Sequence, residues 1–429
     1  MNVALTRISL VVVCLMVANL PLHAQLAGHG GPVRAIAVSG DGDSVLSGSF
    51  DTAAIRWSLN TEAATQVLRF HTDAVNAVAF LKDGRMVTAG ADARIAIWTT
   101  GRPQPDVTFD GHHAPIVSLA VSADGSRLAS ASWDHTVRVW RIADGSEQVL
   151  EGHTQGVNGV AFVPDGSRLV SVGYDLELRI WPLAGGTPVV VAFPSPLNAV
   201  VVASDGEIVT AGADGKLHFL TADGKAVGEV QAGPSPIVAL GLSADSSLIA
   251  AAEIDGTVAI IDRAPRRIRR TLVGSRGPVW SVAFLPDNTG LLIGGADGVI
   301  RRWNARTGDR VGSPLSGTPS DPLAAYAGDH GAEVFRSCVA CHTLSERQPQ
   351  RAGPTLAGLY GRKIGSLPGY PFSNALKHGE IIWSPETVSK LFELGPNAYT
   401  PGTKMPEQRI GSAEDRKALT DFLARATTK

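Results

Sequence analysis

Short apolar runs of about six residues, separated by tight polar turns, recur along the chain from residue 26 to residue 316. Val33–Val38, Val75–Phe80, Ile116–Val121 and Val157–Phe162 are rich in Val, Ile and Ala and are expected to be buried strands. Each leads into an Asp-Gly pair (Asp41-Gly42, Asp83-Gly84, Asp124-Gly125, Asp165-Gly166), the strongest short-range signal for a hairpin. Every unit also carries a turn Asp followed six residues later by an apolar residue, usually Trp. These pairs are Asp51/Trp57, Asp92/Trp98, Asp134/Trp140, Asp175/Trp181, Asp214/Leu220, Asp255/Ile261 and Asp297/Trp303. Successive Asp positions lie 41, 42, 41, 39, 41 and 42 residues apart. A period of about 40–45 residues with four strands per unit predicts the blades of a propeller, here seven.

Gly28-His29, Gly111-His112 and Gly152-His153 precede three of the runs, and His71 holds the comparable place before a fourth. With these residues, 25–316 resembles the WD-repeat family, which implies an all-β, seven-bladed propeller. The resemblance also implies that the His, the turn Asp, a Ser or Thr and the Trp of a blade form a buried hydrogen-bond network. Such a network stabilises only when every member is satisfied, so these residues read as structural rather than catalytic or metal-binding. The chain departs from the family where Leu220 and Ile261 replace Trp in blades five and six, and no Trp is followed by Asp. Those two blades are expected to be looser or packed differently. Only residues 25–27 precede Gly28 once a leader is removed, so residues 310–315 are expected to supply the last outer strand.

Composition adds an address. Residues 8–20 form an almost unbroken apolar stretch after Arg7, Pro21 breaks it, and Ala24 suits a cleavage site, so residues 1–24 read as a secretory signal. The stretch is short for a membrane span, which needs about 20 residues; membrane contact is expected only if the leader is kept. Cys14 lies within it, leaving two cysteines to a mature chain. A net charge of −2 with no dominant single-sign block gives no reason to expect nucleic acid as a partner. The sharpest charge cluster, Arg263, Arg266, Arg267, Arg269 and Arg270, reads as protection of an edge strand.

Residues 312–327 are rich in Pro, Ser and Gly, and 317–328 reads as a linker before a C-terminal domain spanning 329–429. That domain holds Cys338-Val-Ala-Cys341-His342, the attachment signature of a c-type haem. Two thiols at this spacing can add to the two vinyl groups, and the adjacent imidazole can reach the iron. A structural zinc wants four N/S ligands, and a redox dithiol wants a βαβ setting; the sequence supports neither. Gly331 and Phe335 lie on a short helix leading to the motif, and Leu419, Phe422 and Leu423 line one face of a terminal helix over Ala413–Ala426. The two helices are expected to cross closely at Gly331. For the second axial ligand, Met405 lies between prolines in Tyr399-Thr-Pro-Gly-Thr-Lys-Met405-Pro406, a poor place for core filler. His330 and His378 are the rivals, the first too close to the attachment helix and the second in a solvated turn.

These motifs, with Gly353-Pro354, Gly361-Arg362-Lys363, Pro368-Gly369-Tyr370 and Ile381-Ile382-Trp383, make 329–429 similar to class I cytochromes c of the mitochondrial and bacterial c2-like type. The resemblance implies an all-α domain with one covalent haem c on Cys338 and Cys341, and His342 and Met405 as axial ligands. It further implies that the Pro354 carbonyl holds the His342 ring and that Arg362, Trp383 and Thr403 contact the propionates. Phe372 stands where the family has an aromatic hydroxyl, and Leu391 where it has a Tyr.

His/Met ligation fills both axial positions and favours electron transfer over chemistry on a bound molecule. The expectation is a periplasmic electron-transfer cytochrome whose propeller docks a redox partner protein. The alternative is a subunit of a periplasmic oxidoreductase whose propeller carries a separate catalytic site. A haem sensor with ligand exchange at Met405 is a third reading.

Overall fold

The structure is a computed structural model that describes residues 25–273, 277–311 and 323–428, apart from 337, 341, 347–350, 352, 371, 404 and 406–408. The leader, Cys341 and most of the Pro/Ser/Gly-rich stretch lie outside the described residues. Residues 25–304 form seven four-stranded antiparallel sheets arranged as blades. Blade one runs Val33–Val38, Ser44–Ser49, Ala53–Ser58 and Ala63–Arg69, and the later blades repeat this order. The Asp-Gly hairpins form as expected, with Gly42, Gly84, Gly125 and Gly166 at φ between 68° and 84°. That region is one only glycine enters at little cost.

The inner strands are less buried than their composition suggests. In Val33–Val38 only the first residue is fully buried, while all six residues of Ser44–Ser49 are. The second strand has sheet neighbours on both sides and blades on both faces, whereas the inner strand borders the central channel. Each inner strand also carries a β-bulge at its second residue, which turns that side chain towards the neighbouring blade. From there Asn76, Asn158 and Asn198 donate to the carbonyls of Ile116, Leu197 and Ile237. These amides, Asn76 buried and the other two half-buried, tie blade to blade.

Ring closure differs from the sequence expectation. Gln25–Ala27 pairs antiparallel with Val299–Asn304, placing Leu26 opposite Ile300, so the N-terminal segment supplies the last outer strand. Of residues 310–315, Arg310 forms an isolated bridge to Trp303 and the Val311 N–H bonds the Arg302 carbonyl, while 312–315 lie outside the described residues. Three residues suffice because Leu26, 4% exposed, buries its side chain among Trp57, Leu285 and Ile300.

Blades one to four contain the complete buried network. In blade one, His29 Nδ1 is 2.9 Å from Asp51, His29 Nε2 is 2.8 Å from Ser47 Oγ, and Trp57 Nε1 donates to the same Oγ at 2.7 Å. His71/Asp92/Thr88/Trp98, His112/Asp134/Ser130/Trp140 and His153/Asp175/Ser171/Trp181 repeat it. Blades five and six are packed differently, not loosely: Leu220 and Ile261 are 1% and 0% exposed. In blade five Phe193 stands where the His would be and packs edge-on against His218, which takes over the bond to Asp214 at 2.8 Å. In blade six Gly233 stands there, and the buried carboxyl of Glu253 lies in the space a side chain would need. Blade seven keeps Trp303 but has Ile293 at the hydroxyl position, so the indole N–H has no acceptor; Arg310 stacks over the ring at 4.7 Å.

The arginine cluster is a clasp between blades. Arg263 bonds Asp205 and Glu207, Arg266 bonds Glu207, and Arg270 reaches the carbonyls of Arg306 and Thr307.

The C-terminal domain is helical: α1 (His330–Phe335), α2 (Asn374–Lys377), α3 (Pro385–Leu394), α4 (Pro396–Tyr399) and α5 (Ala413–Ala426). Helices α1 and α5 cross at Gly331, where a Cβ would lie 2.1 Å from the Ala418 carbonyl oxygen. Phe335 and Tyr326 pack on Phe422 at 5.5 and 5.0 Å between ring centroids. Leu323 is 1% exposed in the same core. The domain therefore begins by residue 323, earlier than the boundary at 329 drawn from composition, because the core needs those two side chains.

Ser130→Ala removes the acceptor of the Trp140 N–H and the partner of His112 Nε2, and is expected to destabilise the propeller by about 1–3 kcal/mol, read from its urea-unfolding midpoint. Leu26→Ala is expected to cost about 2–5 kcal/mol; an unchanged midpoint would show that the ring closes without residues 25–27.

Candidate functional site

Asp329 caps α1 by accepting from the Ala332 N–H at 3.2 Å. The helix ends at Phe335, and a 3-10 turn over Cys338–Ala340 carries the chain into the motif. That turn places the buried Cys338 on the wall of a cavity, and the His342 N–H bonds the Cys338 carbonyl at 2.9 Å. His342 Nδ1 donates to the Pro354 carbonyl at 2.8 Å. This is the contact expected of Pro354. It fixes the tautomer and the ring plane and leaves Nε2 for a ligand bond. Burial pushes the imidazole below the ordinary histidine range, against the pull of the Pro354 carbonyl, which favours the neutral, ligating form.

The other side of the cavity comes from the loop after α4. Thr400 anchors the loop through its hydroxyl to the Pro396 carbonyl at 2.8 Å. Gly402, at φ 81°, passes so close to Ala375 of α2 that a Cβ would sit 2.7 Å from its methyl. Thr403 Oγ1 then accepts the Met405 N–H at 3.1 Å, and Met405 lines the cavity together with His342 and Cys338. The hydroxyl of Thr403, a residue expected at a propionate, is here engaged by the methionine backbone. Arg362 lines the wall but gives two N–H groups to the carbonyls of Thr355 and Ala357, both at 3.0 Å. Trp383 lies on the wall, and its backbone is paired with Gly361 and Arg362. Phe372 and Leu391 line it too, so the two positions that depart from the family bring apolar groups where a hydroxyl was expected.

The rival histidines stay outside. His330 Nε2 pairs with exposed Asp415 at 2.7 Å, and His378 Nδ1 bonds the Asn374 carbonyl in a solvated turn. In the propeller, His153, Asp175 and Glu177 approach one another closely enough to hold a metal. Yet His153 and Asp175 are committed to the buried network of blade four.

The donor set fits a covalent haem. An imidazole, a thioether and a cysteine border one cavity whose wall also carries the apolar side chains of Leu359, Ile364, Val388 and Phe392. What the sequence did not reveal is the part of the wall that comes from the propeller: Gly30, Asp51, Thr52, Ala53 and Arg69. Nothing in the spacing of these residues marks them, since Asp51 already serves blade one and Arg69 ends an ordinary outer strand.

Comparison with known proteins agrees with this geometry. The family model described as cytochrome c matches residues 328–427. Cytochrome c of Cochliobolus lunatus is 40% identical over 98 residues, covering 90% of that protein and 23% of this chain. Cytochrome c of Arabidopsis thaliana is 40% identical over 98 residues, 87% of its length and 23% of this chain. Cytochrome c type-1 of Ascaris suum is 37% identical over 106 residues, 91% of its length and 24% of this chain. These matches imply one covalently attached haem c and electron transfer through it. The WD domain, G-beta repeat model matches residues 21–58 and the IFT122 first beta-propeller model residues 74–318. Such propellers suit protein binding. The chain belongs, over more than half its length, to the family of the IFT122 first β-propeller and, through its C-terminal domain, to the cytochrome c family.

Proposed function

We propose that this chain is an exported electron-transfer cytochrome of the bacterial periplasm, with a propeller that docks a redox partner protein. The observation that carries the reading is that the His342 imidazole, with its Nδ1 already bonded, and the Met405 thioether border the same apolar cavity as Cys338. In this reading Cys338 and Cys341 would hold the haem covalently, and His342 and Met405 would ligate its iron. Arg362, Trp383 and Thr403 would meet its propionates. When bound, a His/Met haem passes single electrons at a higher potential than a His/His one. The Pro354 carbonyl and the Thr403 hydroxyl hold the two ligands in orientation, and the apolar wall keeps water from them. With His342 and Met405 both serving as ligands, a small oxidant or substrate would have no place to bind.

Residues 1–24 support export, because c-type haem is joined to its protein outside the bacterial cytoplasmic membrane. The haem domain carries 13 Lys and Arg against 10 Asp and Glu, too mild a balance for strong electrostatic steering. Fusion to a docking module raises the local concentration of the haem at the partner instead.

The exported protein is expected to show a weak far-red absorption band in the ferric state that Met405→Ala abolishes, and to bind neither carbon monoxide nor cyanide readily before that change. Ready binding to the unaltered protein would sink the reading in favour of an enzyme or sensor. Fractionation of bacteria expressing the full chain should recover the haem-stained band in the periplasmic extract; recovery in the cytosol would count against export.

A further inference from the structure

Blade one forms part of the haem-domain cavity. Gly30, Asp51, Thr52, Ala53 and Arg69 line it alongside His342 and Tyr370. Arg69, the last residue of the strand Ala63–Arg69, crosses the domain boundary. Its guanidinium carbon lies 4.4 Å from the centroid of the Tyr370 ring, and its Nη2 donates to the Arg351 carbonyl. Arg351 in turn reaches the His342 carbonyl through Nη1 at 3.4 Å. A chain of contacts thus runs from the propeller edge to the backbone of the ligand histidine. Asp51, the carboxylate on this wall, is committed within blade one. Its Oδ2 accepts from His29 and the Gly30 N–H, and its Oδ1 from the Ala53 N–H. Of the other cations on the wall, Arg362 is held by backbone carbonyls and Lys363 pairs with Glu380.

We propose that Arg69 is a positioning residue of the haem site. It clamps the cytochrome domain to blade one, so that the propeller supplies a wall of the cofactor cavity and a fixed positive charge beside it. The proposal rests on the haem reading above and adds a role for the propeller within the chain, distinct from docking an external partner. Arginine is well suited to such a clamp, because its planar cation stacks on an aromatic face and stays charged when partly dehydrated. A positive charge in a site of low dielectric favours the ferrous state, which carries one positive charge fewer. Covering that side of the cavity acts in the same direction, because water stabilises the more highly charged ferric state. The cytochrome domain is thereby the occupant of the blade-one edge, and an outside electron donor or acceptor meets the haem only where the propeller does not cover it.

The test uses the full-length holoprotein, with reduction potential followed by spectroelectrochemical titration and particle size by small-angle X-ray scattering. Arg69→Gln is expected to lower the potential and to increase the radius of gyration. Arg69→Lys, which keeps the charge but loses the flat stacking surface, should lie closer to the wild type in potential than in size. Tyr370→Leu approaches the clamp from the other domain and should expand the particle as Arg69→Gln does. An Arg69→Gln protein with the potential or the radius of the wild type overturns the proposal. The far-red band of each variant separates the two readings. Its absence from the wild type would defeat His/Met ligation, while the scattering comparison would still report on the clamp.

Discussion

The pairing of Gln25–Ala27 with Val299–Asn304 is the constraint on which the rest of the molecule depends. Six of the seven sheets are each built from one continuous stretch of chain, and only the seventh joins the two ends of the propeller. Without that pairing, blade seven has a bare outer edge, and blade one meets it chiefly through its inner strand Val33–Val38. Blade one carries the edge on which the cytochrome domain sits. Ring closure and the surroundings of the haem cavity therefore meet in blade one.

Within the ring, polar and apolar solutions to the same packing problem stand side by side. Blades one to four place a His, an Asp, a hydroxyl and a Trp in mutual contact, each donor with its acceptor. Blades five and six replace the indole with Leu220 and Ile261, and the histidine position is filled by Phe193 in one and by the carboxyl of Glu253 in the other. A satisfied polar network and a well-filled apolar one both exclude water. What a blade cannot tolerate cheaply is half a network, and blade seven, with its unpartnered Trp303 N–H, comes nearest to one.

In the cytochrome domain the two ligand segments are held by different means. His342 is fixed by a turn and by the Pro354 carbonyl, both close in sequence. Met405 is fixed by a loop braced on α2 through Gly402 and on itself through Thr403. The two supports share one apolar core, in which α1 and α3 both pack on α5.

Much of this was legible in the chain. The repeat of about 41 residues dictated seven blades, since the side-chain pattern of a strand and the turn residues are local properties. The spacing of Cys338, Cys341 and His342, and the single Met405 beyond them, dictated which groups could meet a haem. The pattern of Leu419, Phe422 and Leu423 dictated which face of α5 is buried. Other features depended on distance in space rather than in sequence. Residues 25–27 closed the ring, because burial of Leu26 between blades one and seven outweighs what so short a strand suggests. Glu253 and His218 took over positions that no local pattern assigns them. Arg69 met Tyr370 across 301 positions of chain, and only the packing of one folded domain on another could decide that contact.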